Sequence, residues 1–166
     1  DDQGYMWFLT HEGIDRYNGK EFKQYSLVHD EKILNSIQDL SWLLLDKENA
    51  LWVIGKKGRI FKYDPIHDRF NFIYQVPESL REDTAPVTAC YIDDQQRIWL
   101  SCDETIFLYD VHKKEAISVK NSTDGEVTCI EQLNPTNFFI GTDQGLDHVE
   151  LRNNELHFIH HEKLNE

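Results

Sequence analysis

The chain is poor in basic residues: 17 Lys and Arg stand against 30 Asp and Glu, a net charge of −13 over 166 residues. A sequence-independent grip on nucleic acid needs a basic face, so that class of partner is excluded. Docking on anionic lipid is disfavoured for the same reason, and no direct membrane contact is expected. No apolar run approaches the roughly 20 residues of a membrane-spanning helix, and no secretory leader is visible. The chain begins inside a repeat, so it is expected to be one part of a longer protein. Cysteine is scarce. Cys90, Cys102 and Cys129 are too few, and odd in number, for a disulfide framework. With no CxxC spacing they read as small buried hydrophobes in strands rather than metal ligands. There is no Ser/His/Asp order, Gly-rich phosphate loop or His-Glu helix, and nothing singles out a carboxylate pair of the kind that cleaves glycosides. No catalytic residue, metal or cofactor is expected.

What the chain has is aromatic residues in a repeated phrase. Residues 46–64, DKENALWVIGKKGRIFKYD, read as a turn, a strand, a tight loop and a second strand. The phrase returns in residues 1–17 and 93–109, and more weakly in 133–149, with Phe139 in the place of Trp7, Trp52 and Trp99. An Asp (Asp1, Asp46, Asp93) stands six positions before each Trp. A period of roughly 40–50 residues made of short strands is the signature of a β-propeller blade.

Each full unit reads as four strands, with the first the most apolar and enclosed and the last alternating. The blades cover approximately 1–26, 37–75, 87–120 and 127–161 of a single partial β-propeller, 1–166. Residues 26–36 read as a polar connector, 37–45 (IQDLSWLLL) as a fully buried inner strand, and 75–86 as the longest connector. Asn18-Gly19 reads as a hairpin turn because both residues tolerate positive φ, and Pro65–Asp68 as a second one. The first blade lacks its inner strand, because Asp1 already lies in the turn that should follow it. The raw edge this leaves implies as partners the remaining blades of a longer chain or a second copy.

The phrase D-x-x-G-x-(L/M)-W, followed by a GTxxG(L/I)-type loop and an RY(D/N) end, resembles the regulator-propeller repeat. Residues 1–22, DDQGYMWFLTHEGIDRYNGKEF, carry it best, and GTDQGL at 141–146 matches its loop. Ile54 and Ser101 stand where Gly is usual, and Thr105 replaces the loop Gly. Such repeats build the periplasmic sensor region of hybrid two-component systems in gut Bacteroidetes. The resemblance therefore implies an extracytoplasmic, non-enzymatic sensing segment, an oligosaccharide ligand, and a parent that is an inner-membrane histidine kinase. A plain protein-interaction propeller without ligand sensing is the alternative, and a propeller hydrolase or lyase a third reading that lacks convergent acids.

Candidate ligand contacts are the loops between the second and third strands of each blade: Thr10, His11 and Glu12; Lys56 and Lys57; Asp103 and Glu104; Asp143 and Gln144. They vary while the strands do not, as both recognition loops and ordinary surface loops do. Trp7, Trp52 and Trp99 recur at one place, which points to packing between blades rather than to stacking on sugar rings. Trp42 breaks the repeat. Strict alternation puts His157 and His161 on one strand face and His160 on the other, short of the ligands zinc needs. The acidic turns read as turn-capping carboxylates rather than calcium loops.

Overall fold

The computed structural model describes every residue except His11, 30–31, 35–39, 79–85, 103–104, 121–124 and 164–166. Among the described residues the chain is all-β and divides into two compact units, Asp1–Gln75 and Val76–Glu166.

The first unit opens with a three-stranded antiparallel sheet, β1 (Met6–Thr10), β2 (Gly13–Tyr17) and β3 (Phe22–Tyr25), in that order. Among the described residues β1 pairs with β2 alone. A two-stranded hairpin follows, β4 (Leu27–His29) and β5 (Lys32–Leu34). The stretch 26–36 is therefore not a bare connector. Leu27, Val28, Ile33 and Leu34 supply apolar strand formers between its charged residues, and Leu27 is buried in the core of the unit. The unit ends with a four-stranded sheet: β6 (Leu40–Leu45), β7 (Leu51–Gly55), β8 (Arg59–Asp64) and β9 (Arg69–Gln75). The second unit holds two more, β10 (Val87–Ile92), β11 (Arg97–Cys102), β12 (Thr105–Asp110) and β13 (Glu115–Lys120), then β14 (Val127–Gln132), β15 (Asn137–Thr142), β16 (Gly145–Arg152) and β17 (Glu155–Lys163). All neighbouring strands are antiparallel and consecutive, the meander of a propeller blade.

Burial departs from expectation in one respect. The second strand, not the inner one, is the most enclosed: all of β7 is buried, and so is β11 from Ile98 to Cys102. In β6 only Leu40 is buried, Trp42 is half-buried and Leu45 is 47% exposed. Two faces of β7 and β11 meet packed side chains, whereas an inner strand has one edge with no strand beside it. The cysteines divide likewise. Cys102 is buried, Cys90 half-buried with its thiol pKa pushed up by desolvation, and Cys129 exposed.

Turn chemistry fixes the hairpins. At 18–21 only Gly19 takes positive φ, +92°. Asn18 instead folds its side-chain oxygen back to accept the N–H groups of Lys20 and Glu21, both at 2.9 Å, the local bond that competes with regular pairing. Pro65–Asp68 is the expected turn, closing Asp64 against Arg69. Gly145 follows β15 because a Cβ there would stand 2.2 Å from the Glu162 carbonyl oxygen of β17.

Candidate functional site

The acidic turns and the tryptophans are one device. Trp7, Trp52 and Trp99 donate their indole N–H to Asp1, Asp46 and Asp93 at 2.6, 2.8 and 2.9 Å. The other oxygen of each acid accepts turn N–H groups: Tyr5 for Asp1, Glu48 and Ala50 for Asp46, Gln95 and Arg97 for Asp93. The carboxylates therefore cap turns, as expected, and also hold the indole ring. The six-residue spacing shows in the sequence; its partner, the indole N–H, was the missing half of the signal. Trp52 and Trp99 are fully buried. Trp99 lies on Phe138 of the next sheet, centroids 4.2 Å apart, and Trp7 packs on Tyr63 and Phe70 of the next sheet. In the fourth blade Phe139 is half-buried, and its neighbour Phe138 points into the core.

A polar hub that the sequence reading missed joins the two sheets of the first unit. Asp68 accepts from the hydroxyls of Tyr25 and Tyr63 at 2.6 and 2.5 Å, from Arg16 at 3.2 Å, and from Lys23. Burial works against its charge, but Lys23, Tyr25, Tyr63 and Arg16 outweigh that and hold the carboxyl well below the usual range. Tyr25 is pushed up by burial and by its bond to Asp68. The signal was present as Asp68 in a turn and an Arg-x-x-x-x-x-x-Lys spacing across a hairpin, but only the third dimension converges them.

The outer strand of the last blade carries a bulge that corrects the histidine reading. Asp147 pairs with His161 and His148 with His160, but Val149 pairs with Phe158, leaving Ile159 as the extra residue. An extra residue reverses the alternation, so His157 and His160 share one face and His161 takes the other. His161 there meets the buried Asp147 at 2.5 Å. Among the described residues no group of three potential ligands could hold a metal ion.

The candidate loops fall at the same turn of each blade. Thr10 is spent on its own loop, its hydroxyl facing Gly13 and Asp15 and accepting from Glu12. Thr142 repeats this toward Gly145 and Gln144. Asp143 accepts from Glu126. Glu12, Lys56, Lys57, Asp143 and Gln144 are exposed. His11, Asp103 and Glu104 lie outside the described residues. Two concavities lie elsewhere. In the second unit a cleft of about 150 Å³ is lined by Arg97, Leu108, Asp110, Glu115, Ile117 and Leu151. In the first, a groove of about 350 Å³ runs beside β1.

Four-stranded antiparallel meanders, packed within each unit through a recurring aromatic, define a partial β-propeller. Comparison with solved structures agrees. The chain superposes over 96% of its length on the extracellular domain of BT4673 from B. thetaiotaomicron, described as a hybrid two-component system, with TM-score 0.70 and 17% identity, covering 21% of that chain. It matches the extracellular domain of BT3049, from the same organism and of the same description, with TM-score 0.68, 19% identity and 96% coverage against 23% of that chain. The N-terminal domain of Nup159 is also similar, with TM-score 0.62 and 8% identity over 98% of this chain and 42% of that one. The chain thus spans about a fifth of the two-component relatives it matches. No protein-family model and no curated protein matches it.

Proposed function

We propose that this chain is a segment of the extracytoplasmic sensing region of a hybrid two-component sensor. The observation that carries the reading is the likeness to the BT4673 and BT3049 extracellular domains along nearly the whole chain. It agrees with the repeat phrase in the sequence. In this reading the segment is itself non-enzymatic and lies in the periplasm. A histidine kinase belongs to the parent protein, and the signal is an oligosaccharide. Ligand contacts fall on the exposed loop end, with Glu12, Lys56, Lys57, Asp143 and Gln144 as the described candidates. Ligand binding shifts rigid blades, and that movement is passed through the membrane.

Titration calorimetry of the complete sensor region against a panel of oligosaccharides tests the ligand. Binding that weakens when Lys56 and Lys57 are both changed to Ala supports the loop face; binding by none of the panel removes the carbohydrate assignment. A second reading is a protein-interaction scaffold, since one fold hosts unrelated functions and the likeness to Nup159 shows this fold under another description. The full-length coding sequence separates the two: a membrane-spanning helix and kinase downstream of the propeller support the sensor, and their absence supports the scaffold.

A further inference from the structure

The cleft of the second unit has an ordered lining. Arg97 of β11, Asp110 of β12 and Glu115 of β13 form one row across the strands, Arg97 paired with Asp110 and Asp110 with Glu115. Two residues further along each strand, on the same face, Leu108 pairs with Trp99 and with Ile117. Leu151 enters from β16 of the next sheet. The apolar row is the deeper one: Leu108 and Leu151 are buried in the core, whereas Glu115 is exposed. The cleft therefore has an aliphatic floor and a charged mouth.

Two of the charges at the mouth are already matched. Lys113 meets Asp110 at 3.2 Å, and Asp110 also accepts the N–H groups of His112 and Lys113 at 3.0 and 2.9 Å. Two others are open. Arg97, with 17% of its side chain exposed, donates Nε to the buried Asp93 at 2.6 Å. Among the described residues that is the one guanidinium nitrogen with an acceptor, and Nη2 is buried with none. An arginine carries five N–H donors, and buried donors are normally paired. Glu115 makes no ion pair among the described residues. What the cleft offers is a guanidinium with donors to spare, a free carboxylate and an apolar floor.

We propose that this cleft binds a free aliphatic α-amino acid, with its carboxylate on Arg97, its ammonium on Glu115 and its side chain on Leu108, Ile117 and Leu151. A zwitterion answers both open charges at once, and its carboxylate bond to a guanidinium is charge-assisted. Strand spacing sets Arg97 and Glu115 roughly 10 Å apart at the backbone, one on each side of β12. Two long side chains close that gap on a head group whose charges share one carbon. The volume, about 150 Å³, is below the roughly 300–1,000 Å³ of drug-sized pockets. It suits one small molecule rather than a sugar chain. The cleft lies at the end of the strands away from the β11–β12 and β15–β16 loops, and the inference does not depend on the sensor reading.

The test is NMR titration of the full chain with three compounds: L-leucine, N-acetyl-leucine, which lacks the ammonium, and leucinamide, which lacks the carboxylate. Leucine is expected to shift the methyl resonances of Leu108, Ile117 and Leu151, with each analogue binding at least about tenfold more weakly. Glu115→Gln, at an exposed position, is expected to weaken leucine about tenfold and to leave N-acetyl-leucine unchanged. Its Tm should stay within about 2 °C of wild type, which separates lost binding from lost folding. Lys113→Ala, the control for bulk charge, is expected to change leucine affinity by less than about twofold. No methyl shift at about 10 mM leucine, well above a 1 mM Kd, overturns the proposal. So does equal binding of the three compounds, or leucine binding that Glu115→Gln leaves unchanged.

Discussion

In the first unit Trp7 is half-buried, ringed by Tyr25, Tyr63 and Phe70, and the contact is closed by Arg16, Lys23 and Asp68. In the second, Trp99 is fully buried on Phe138 among Ala89, Ile106, Leu108, Ile140 and Val149. The same repeat position is thus served by a wet, charged hub in one place and by dry packing in the other. Trp7 is half-buried, with Tyr25, Tyr63 and Arg16 beside its ring. Polar groups can be satisfied there, so tyrosine hydroxyls and a carboxylate replace aliphatic side chains. Stability in the second contact should follow cavity volume, and in the first it should follow charge state.

The largest expected effect tests the dry side. Trp99→Ala, like Trp52→Ala, should cost about 3–5 kcal/mol by denaturant unfolding, with Trp7→Ala costing roughly half as much because the ring is already partly hydrated. Equal losses at Trp7 and Trp99 would erase the contrast. Next comes Asp93→Ala, which strands the buried indole, two turn N–H groups and the Arg97 guanidinium. A loss of about 3 kcal/mol is expected, against about 1 kcal/mol for the half-exposed Asp1→Ala.

The wet side is tested by pH. The Asp68 carboxyl is depressed in the folded protein, so its contribution is present above the unfolded value of about 4 and is lost as pH falls below it. Tyr25 and Tyr63 are raised, so theirs is present below about 10 and is lost as pH rises beyond it. Asp68→Asn should therefore lower the first unit's stability by about 1 kcal/mol at pH 7, with the difference from wild type shrinking steadily as pH falls below about 4 when read by amide exchange of Tyr25 and Tyr63. A difference independent of pH would make the hub mere packing. The smallest effect is Ile66→Lys, at a turn residue 87% exposed, which should change stability by less than about 0.5 kcal/mol.

Blade type, strand order and the missing inner strand were legible because strand periodicity, Gly and Asn turns and a recurring Trp are local signals. The hairpin at Leu27–Leu34 was hidden by its charged residues. The bulge at Ile159 was hidden because strict alternation carries no mark of an added residue, and it moved His161 to the face of Asp147. The Asp68 hub was visible only as separate pieces, since Arg16, Lys23, Tyr25 and Tyr63 come together only when two sheets stack. Of the candidate loop residues, sequence variation located the turns but could not distinguish Thr10, which holds its own loop, from the exposed Lys56 and Gln144.

The acid-to-indole bond needs both of its ends. In the fourth blade the ring is Phe139, which has no N–H to give, and the position that matches the acid is Leu133, while the side-chain oxygen of Asn134 closes the turn by accepting the N–H groups of Thr136 and Asn137. Donor and acceptor are both absent from that copy, whereas changing one alone in the other blades would leave its buried partner unsatisfied. The acid and the indole therefore act as one unit, and a double change should cost less than the sum of the two single ones.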